Sequence, residues 1–178
     1  MNAKPYLDGI AGHFASVGLD AVMIGNAAAA INGAPVTTMD VDFLVEQTPE
    51  NYRKLAALSQ RMDCQLVEMK LVGGAYMYRL VHRSEPLIID ILFKPSGGLD
   101  FAAWKRHSSE LFFGEYPLRI AALSDVLASK KAAARPKDLA SIPILEMTLD
   151  ERSKQDKRRQ PRPARKSCKT GPAARRRS

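Results

Sequence analysis

Two aspartates one residue apart, Asp40 and Asp42, open the otherwise apolar run TTMDVDFLV. Side chains alternate across a strand, so on a strand both carboxylates point the same way, with Cα atoms roughly 6.6 to 7 Å apart. Two like charges held together are costly unless something neutralises them. A divalent cation does this, and hard oxygen ligands with no His or Cys nearby suit Mg²⁺ or Mn²⁺ rather than zinc. A third acid, Asp90, interrupts LIIDILF, where a lone carboxylate would be expensive to bury. A neighbouring strand can place it beside the first pair. Three carboxylates then suffice for two metal ions roughly 3.5 to 4 Å apart. One ion would activate an attacking hydroxyl and the other would hold a triphosphate, with Asp90 the ligand or general base nearest the nucleophile. A plain structural role competes, because an acid pair at a strand end is common and Asp42 could cap a turn or pair with a lysine. The third acid inside an apolar strand favours the site.

The segment upstream adds a separate argument. DAVMI reads as a buried strand, Gly25-Asn26 breaks it, and AAAAI reads as a short helix. Backbone N–H groups at such a helix start receive anions. Gly25 allows a phosphate to approach closely, and Asn26 can cap the helix or donate a hydrogen bond. Gly-Asn is also ordinary punctuation, so its value lies in its position, since the helix returns into the strand carrying Asp40 and Asp42.

Other elements must hold these residues in place. Tyr6 to Val17 has helical apolar spacing, and Gly18 ends it as a C-cap. Thr48-Pro49-Glu50 starts a helix reaching about Met62, with Thr at N-cap and Pro at N1. Gln65 to Met69 and Tyr76 to Val81 form two strands joined by a Gly73-Gly74 turn, and Leu87 to Phe93 is the most β-like segment. Phe101 to Arg106 is a short helix, and Leu111 to Ile120 holds two extended pieces around Gly114. Ser124 to Ala134 is a helix with Ser124 at N-cap, and Pro136 separates it from a last helix, Lys137 to about Met147. The expectation is one mixed α/β body of four to six strands ending near residue 150.

Composition sets the boundaries of this reading. The chain of 178 residues suits one domain. No apolar run approaches the length of a membrane span, and MNAKPYLDGIAGHF lacks a signal-peptide core, so a cytoplasmic location is expected. Cys64 and Cys168 offer neither a disulfide framework nor zinc spacing. The net charge of +8 is unevenly spread: residues 151–178 hold 12 cations and two acids, and the rest of the chain 15 cations and 17 acids. A tail that basic, with three prolines and almost no large apolar residue, is expected to be disordered. It could grip the phosphate backbone of RNA or DNA, or serve only as a solubilising extension. His13, His82 and His107 are scattered singly, Trp104 is expected to pack, and Ser108-Ser109 has no partner base. Lys94 reads as a turn lysine.

IGNAAAAINGAPVTTMDVDFLV resembles the core motif of the minimal nucleotidyltransferases of the DNA polymerase β superfamily. Those have Gly-Gly or Gly-Ser after the first strand, a short helix, a loop, and Asp-x-Asp on the next strand. A third acid on a later strand is matched by Asp90. SDVLASKKAAARPKDLASIPIL resembles the terminal helices of the abortive-infection toxin branch, where a helical lysine precedes an Arg-x-Lys/Arg-Asp signature. By that match Lys130, Arg135, Lys137 and Asp138 would face the nucleotide or brace the site. On the residues alone, Lys130-Lys131 could be a solvated face and Asp138 could merely neutralise a helix N-terminus.

The resemblance spans roughly residues 20 to 147. It implies an α/β, nucleotidyltransferase-like mixed β-sheet flanked by helices, followed by the basic tail. It also implies Mg²⁺-dependent transfer of a nucleoside monophosphate from an NTP to a hydroxyl on RNA, protein or a small molecule. Gly25 and Asn26 would hold the β and γ phosphates, and Asp40 and Asp42 would ligate both ions. A toxin of a toxin–antitoxin or phage-defence pair, with a cognate antitoxin as partner, is the most specific version. Asn26 stands where Gly or Ser is usual and Ser141 where another acid is frequent. These departures bear on catalysis rather than on fold. The competing class is a non-catalytic protein that keeps this fold to bind nucleic acid.

Overall fold

The computed structural model describes residues 4–71 and 76–159. In chain order the elements are α1 (Lys4–Val17), β1 (Ala21–Ile24), α2 (Gly25–Ile31), β2 (Val41–Val45), α3 (Pro49–Arg61), β3 (Cys64–Lys70), β4 (Tyr76–His82), β5 (Ile88–Leu92), α4 (Phe101–His107), β6 (Ser109–Phe113), β7 (Tyr116–Ile120), α5 (Leu123–Ala133) and α6 (Pro136–Arg159). The strands form one mixed sheet of seven, one more than the upper expectation, in the order β3-β4-β5-β2-β1-β7-β6.

The middle of the sheet is the most apolar part of the sequence. Strands β1, β2 and β5 contribute Val22, Met23, Phe43, Leu44, Val45, Ile89 and Ile91, all fully buried. Residues buried on both faces are what a central strand requires. β2 runs antiparallel to β1 and parallel to β5, while β4 pairs antiparallel with β5. Phe43 packs against Phe14 of α1, with ring centroids 4.7 Å apart. Alternation therefore turns Asp42 and Leu44 to the opposite face.

Local rules account for most element ends. Thr48 caps α3 as expected, its hydroxyl accepting the Asn51 N–H at 3.1 Å. Asp100 caps α4 in the same way, through the Ala103 N–H at 2.8 Å. Ser124 does not cap α5: the helix begins one residue earlier, with Ala122 at N-cap and no side-chain bond. Ala134 ends α5 in the left-handed region, at φ 49°. The Gly73-Gly74 turn lies outside the described residues, although β3 and β4 pair as a hairpin from Cys64↔His82 to Lys70↔Tyr76.

The last helix differs most from expectation. It continues through Arg159, past the boundary placed near residue 150, so residues 151–159 of the basic segment are helical. Arg152 explains part of this. Its guanidinium donates to the Asn32 side-chain oxygen at 2.8 Å and to the Asn32 carbonyl at 3.3 Å, tying α6 to the end of α2. Pro143 sits inside the helix, and Leu145 beyond it is fully buried. At the outer edge of the sheet, β6 and β7 expose Leu111, Phe112 and Tyr116. Among the described residues no helix is long and apolar enough to cross a membrane.

Candidate active site

Four neighbouring strands bring the site together. The register sets Ile24 of β1 opposite Asp42 of β2, Asp42 opposite Asp90 of β5, and Asp90 opposite Arg79 of β4. Residues opposite one another across a ladder share a face. Asp40 precedes β2 by one residue and curls toward the same point. Ligand oxygens of Asp40, Asp42 and Asp90 all lie within 4.8 Å of one another. The three acids thus converge, although Asp40 lies just before the strand and not on it as the sequence suggests, and Asp90 is buried, at 5% exposure.

Thr38 steadies Asp40. Its hydroxyl lies 2.7 Å from the Asp40 carbonyl oxygen and 2.9 Å from Oδ1. Burial, then the negative charges of Asp40 and Asp90, push the pKa of Asp42 up to about 7, against the opposing pull of Lys137 and Lys130. Burial is the larger cause and the neighbouring carboxylates the smaller.

Gly25 lies against Asp42. It begins α2 at φ +66°, and a Cβ there would stand 2.1 Å from Oδ2 of Asp42. The absent side chain lets the first turn of α2 lie directly on the carboxylate. Asn26 does not cap the helix; Ile24 is the N-cap and makes no side-chain bond. Instead Asn26 Nδ2 donates to the Thr37 carbonyl at 3.2 Å, bracing the loop that delivers Asp40. Its Oδ1 is buried with no hydrogen-bond partner among the described residues.

The α5–α6 corner forms a second layer. Asp138 is 1% exposed and receives Lys130 Nζ at 3.2 Å and Arg135 Nε at 2.6 Å. Burial alone would raise its pKa, but the hydrogen bonds from Arg135 and Lys130 prevail and hold it below the usual carboxylate value. Lys130 is therefore no solvated surface lysine; its side chain is 11% exposed. Ser141, buried beneath, donates to the Asp138 carbonyl at 2.9 Å. Lys137 is exposed, makes no ion pair among the described residues, and lies close enough to Asp42 to depress its pKa. The corner thus divides into a brace, Lys130–Asp138–Arg135, and one free cation, Lys137.

Sequence reasoning missed Arg79. Its Nε and Nη2 donate to the two oxygens of Asp90, each at 2.7 Å. The hydrogen bonds to Asp90 raise the arginine's own pKa further. The signal was present: MYRLV sets an arginine inside an apolar strand, beside a strand that sets an aspartate inside LIIDILF. A half-buried arginine and a buried aspartate on adjacent strands are each other's natural partners.

No family model matches the chain, and no curated protein matches it in sequence. Solved structures do match. One is the antibiotic-resistance factor ANT(2'')-Ia in complex with adenylyl-2''-tobramycin, at TM-score 0.55 and 13% identity, covering 89% of this chain and 99% of that one. The fold is the nucleotidyltransferase fold. The lincomycin-bound lincosamide adenylyltransferase LnuA matches at TM-score 0.55 and 11% identity, over 82% of this chain and 96% of that one. A candidate nucleotidyltransferase from Thermotoga maritima matches at 0.53 and 12%, over 85% and 96%. Within this nucleotidyltransferase fold, the oxygen-only set of Asp40, Asp42 and Asp90 has the hard donors that a Mg²⁺ or Mn²⁺ ion takes. The raised pKa of Asp42 is a second mark of fit, because positive charge at that point would relieve it.

Proposed function

We propose that the protein is a divalent-cation-dependent nucleotidyltransferase, moving a nucleoside monophosphate from an NTP to an acceptor hydroxyl. The observation that carries this reading is the convergence of Asp40, Asp42 and Asp90 within 4.8 Å at the start of α2, in a nucleotidyltransferase fold. Asp40 and Asp42 would hold Mg²⁺ or Mn²⁺, with Asp90 beside them. A bound cation supplies Lewis-acid polarisation of the α-phosphate and a lowered pKa for the attacking hydroxyl. The chain's own groups do the rest. The first N–H groups of α2, opened by Gly25, would receive phosphate oxygens, with the Asn26 amide beside them. Lys137, unpaired and exposed, is the cation best placed to meet the charge developing on leaving pyrophosphate. Lys130, Arg135 and Asp138 would keep the corner that presents it. Asp90 would accept the proton of the acceptor hydroxyl or orient that hydroxyl.

The acceptor is RNA, protein or a small molecule. Two solved neighbours are named for work on antibiotics, which supports a small-molecule hydroxyl. The terminal-helix resemblance supports the toxin version instead, with an antitoxin as partner. Growth arrest on expression, relieved by a neighbouring reading frame, would select the toxin. Asn26 in place of Gly or Ser favours a second reading, a non-catalytic nucleic-acid-binding module using the basic segment.

The deciding experiment is incubation with labelled NTPs, Mg²⁺ and total cell RNA, protein or small-molecule pools. Transfer of label is expected for the full chain and should fall at least a thousandfold in Asp40→Asn/Asp42→Asn. Mg²⁺-dependent NTP binding that is equal in the two proteins would favour the binding module.

A further inference from the structure

Arg79 changes the charge count of the site. With all three acids ionised, three carboxylates less one guanidinium leave two net negative charges among these four groups, the charge of one divalent cation. Both oxygens of Asp90 are already engaged, each by a separate N–H of the same planar fork at 2.7 Å. Bidentate pairing of this kind fixes the orientation of the carboxylate as well as its charge. The pair is also enforced by the backbone, since Arg79 and Asp90 are register partners on adjacent antiparallel strands. Asp40 and Asp42, by contrast, accept from no cationic side chain among the described residues; Asp40 receives only the Thr38 hydroxyl. Unneutralised charge is therefore concentrated on those two acids.

We propose that Arg79 occupies the place of a second cation, so that this site holds one tightly bound divalent ion on Asp40 and Asp42 and disfavours another at Asp90. The proposal rests on the nucleotidyltransferase reading and sets its metal stoichiometry. A guanidinium is always charged and cannot leave by deprotonation, so it opposes a second ion at every working pH. Arg79 is then a positioning residue: it acts on Asp90, and through Asp90 on how many cations the cluster accepts.

Mn²⁺ alone is the probe, added to the full chain and counted by the loss of its free-ion electron paramagnetic resonance signal. The wild type should bind one Mn²⁺, with any second ion at least tenfold weaker. Arg79→Gln should acquire a second ion within tenfold of the first, while Arg79→Lys, which keeps the charge, should not. Arg79→Gln/Asp90→Asn removes both charges of the pair and should bind its single Mn²⁺ within about threefold of the wild type; that result does not depend on Arg79→Gln folding alone. Two ions of comparable affinity in the wild type would overturn the proposal and leave nucleotidyl transfer standing. So would a single ion in folded Arg79→Gln, or a loss above tenfold in the double variant. No Mn²⁺ on the wild type would overturn both the proposal and the reading beneath it.

Discussion

Asp42 is costly to keep charged where the fold places it. Its pKa is raised to about 7 in the metal-free protein, chiefly by burial and then by Asp40 and Asp90. A carboxyl whose folded pKa lies above its unfolded one binds more protons in the folded state between the two values. Its contribution to stability is full below about pH 4 and is lost as pH rises through about 7. The metal-free protein is thus expected to melt several degrees lower at pH 8 than at pH 5, and saturating Mg²⁺ at pH 8 should restore the difference. Asp42→Asn should raise the metal-free melting temperature at pH 8, by about 1 to 3 kcal/mol of stability, while abolishing transfer. Thermal melts in chelator across that pH range check both statements; a flat profile would remove Asp42 from the account. Gly25 gives a second test at this scale. Gly25→Ala sets a methyl against Asp42 Oδ2 and forces φ +66° on an L residue. It should cost about 2 kcal/mol or more in urea denaturation and weaken Mn²⁺ binding with it.

Elements were legible where one local rule decided them. Thr48-Pro49 announced the start of α3, and the apolar runs of β1, β2 and β5 announced strands. The three acids were legible because each is a charge inside an apolar run. Arg79 carried the same mark and was passed over, because the strand pairing that gives it meaning is a property of the sheet and not of its own segment. The start of α5 was misplaced because Ser124 looked like a cap, whereas the helix begins on apolar Leu123, which is 2% exposed and held by packing. The α5–α6 corner yields a split prediction. Asp138→Ala leaves Lys130 in a nearly buried position with no carboxylate, and should cost about 3 kcal/mol of stability. Lys137→Met should leave stability within about 0.5 kcal/mol, as surface substitutions do, and weaken NTP binding about tenfold. Chemical denaturation and nucleotide titration on both variants separate brace from ligand.

At the scale of the whole molecule, the net charge of the sequence divides between a near-neutral body and a basic end. The basic end is not separate from the described structure, because α6, which runs through Arg159, carries Arg152 onto Asn32. The periodic apolar pattern stops near Met147, so nothing in the sequence announced that the helix continues; one long-range contact helps to extend it. A chain ending at residue 159 should therefore match the full chain in melting temperature, and a chain ending at 150 should lose about 1 kcal/mol. Residues 160–178 hold seven cations and no acid. Their removal should lower RNA affinity and flatten its dependence on salt. Equal salt slopes with and without them would end the nucleic-acid role of that segment.

The pairing of β2 with β5, Asp42 beside Asp90, has a consequence for misassembly. If the two strands met out of step by one position, Asp42 would face an isoleucine and Asp90 would be stranded away from it. Such a chain could keep most of its greasy interior and its helical content yet be blind to manganese. If the proposed cation binds, its uptake would audit the alignment of the sheet's centre, and the fraction of a refolded preparation that takes up the ion would count the molecules whose strands found their true partners.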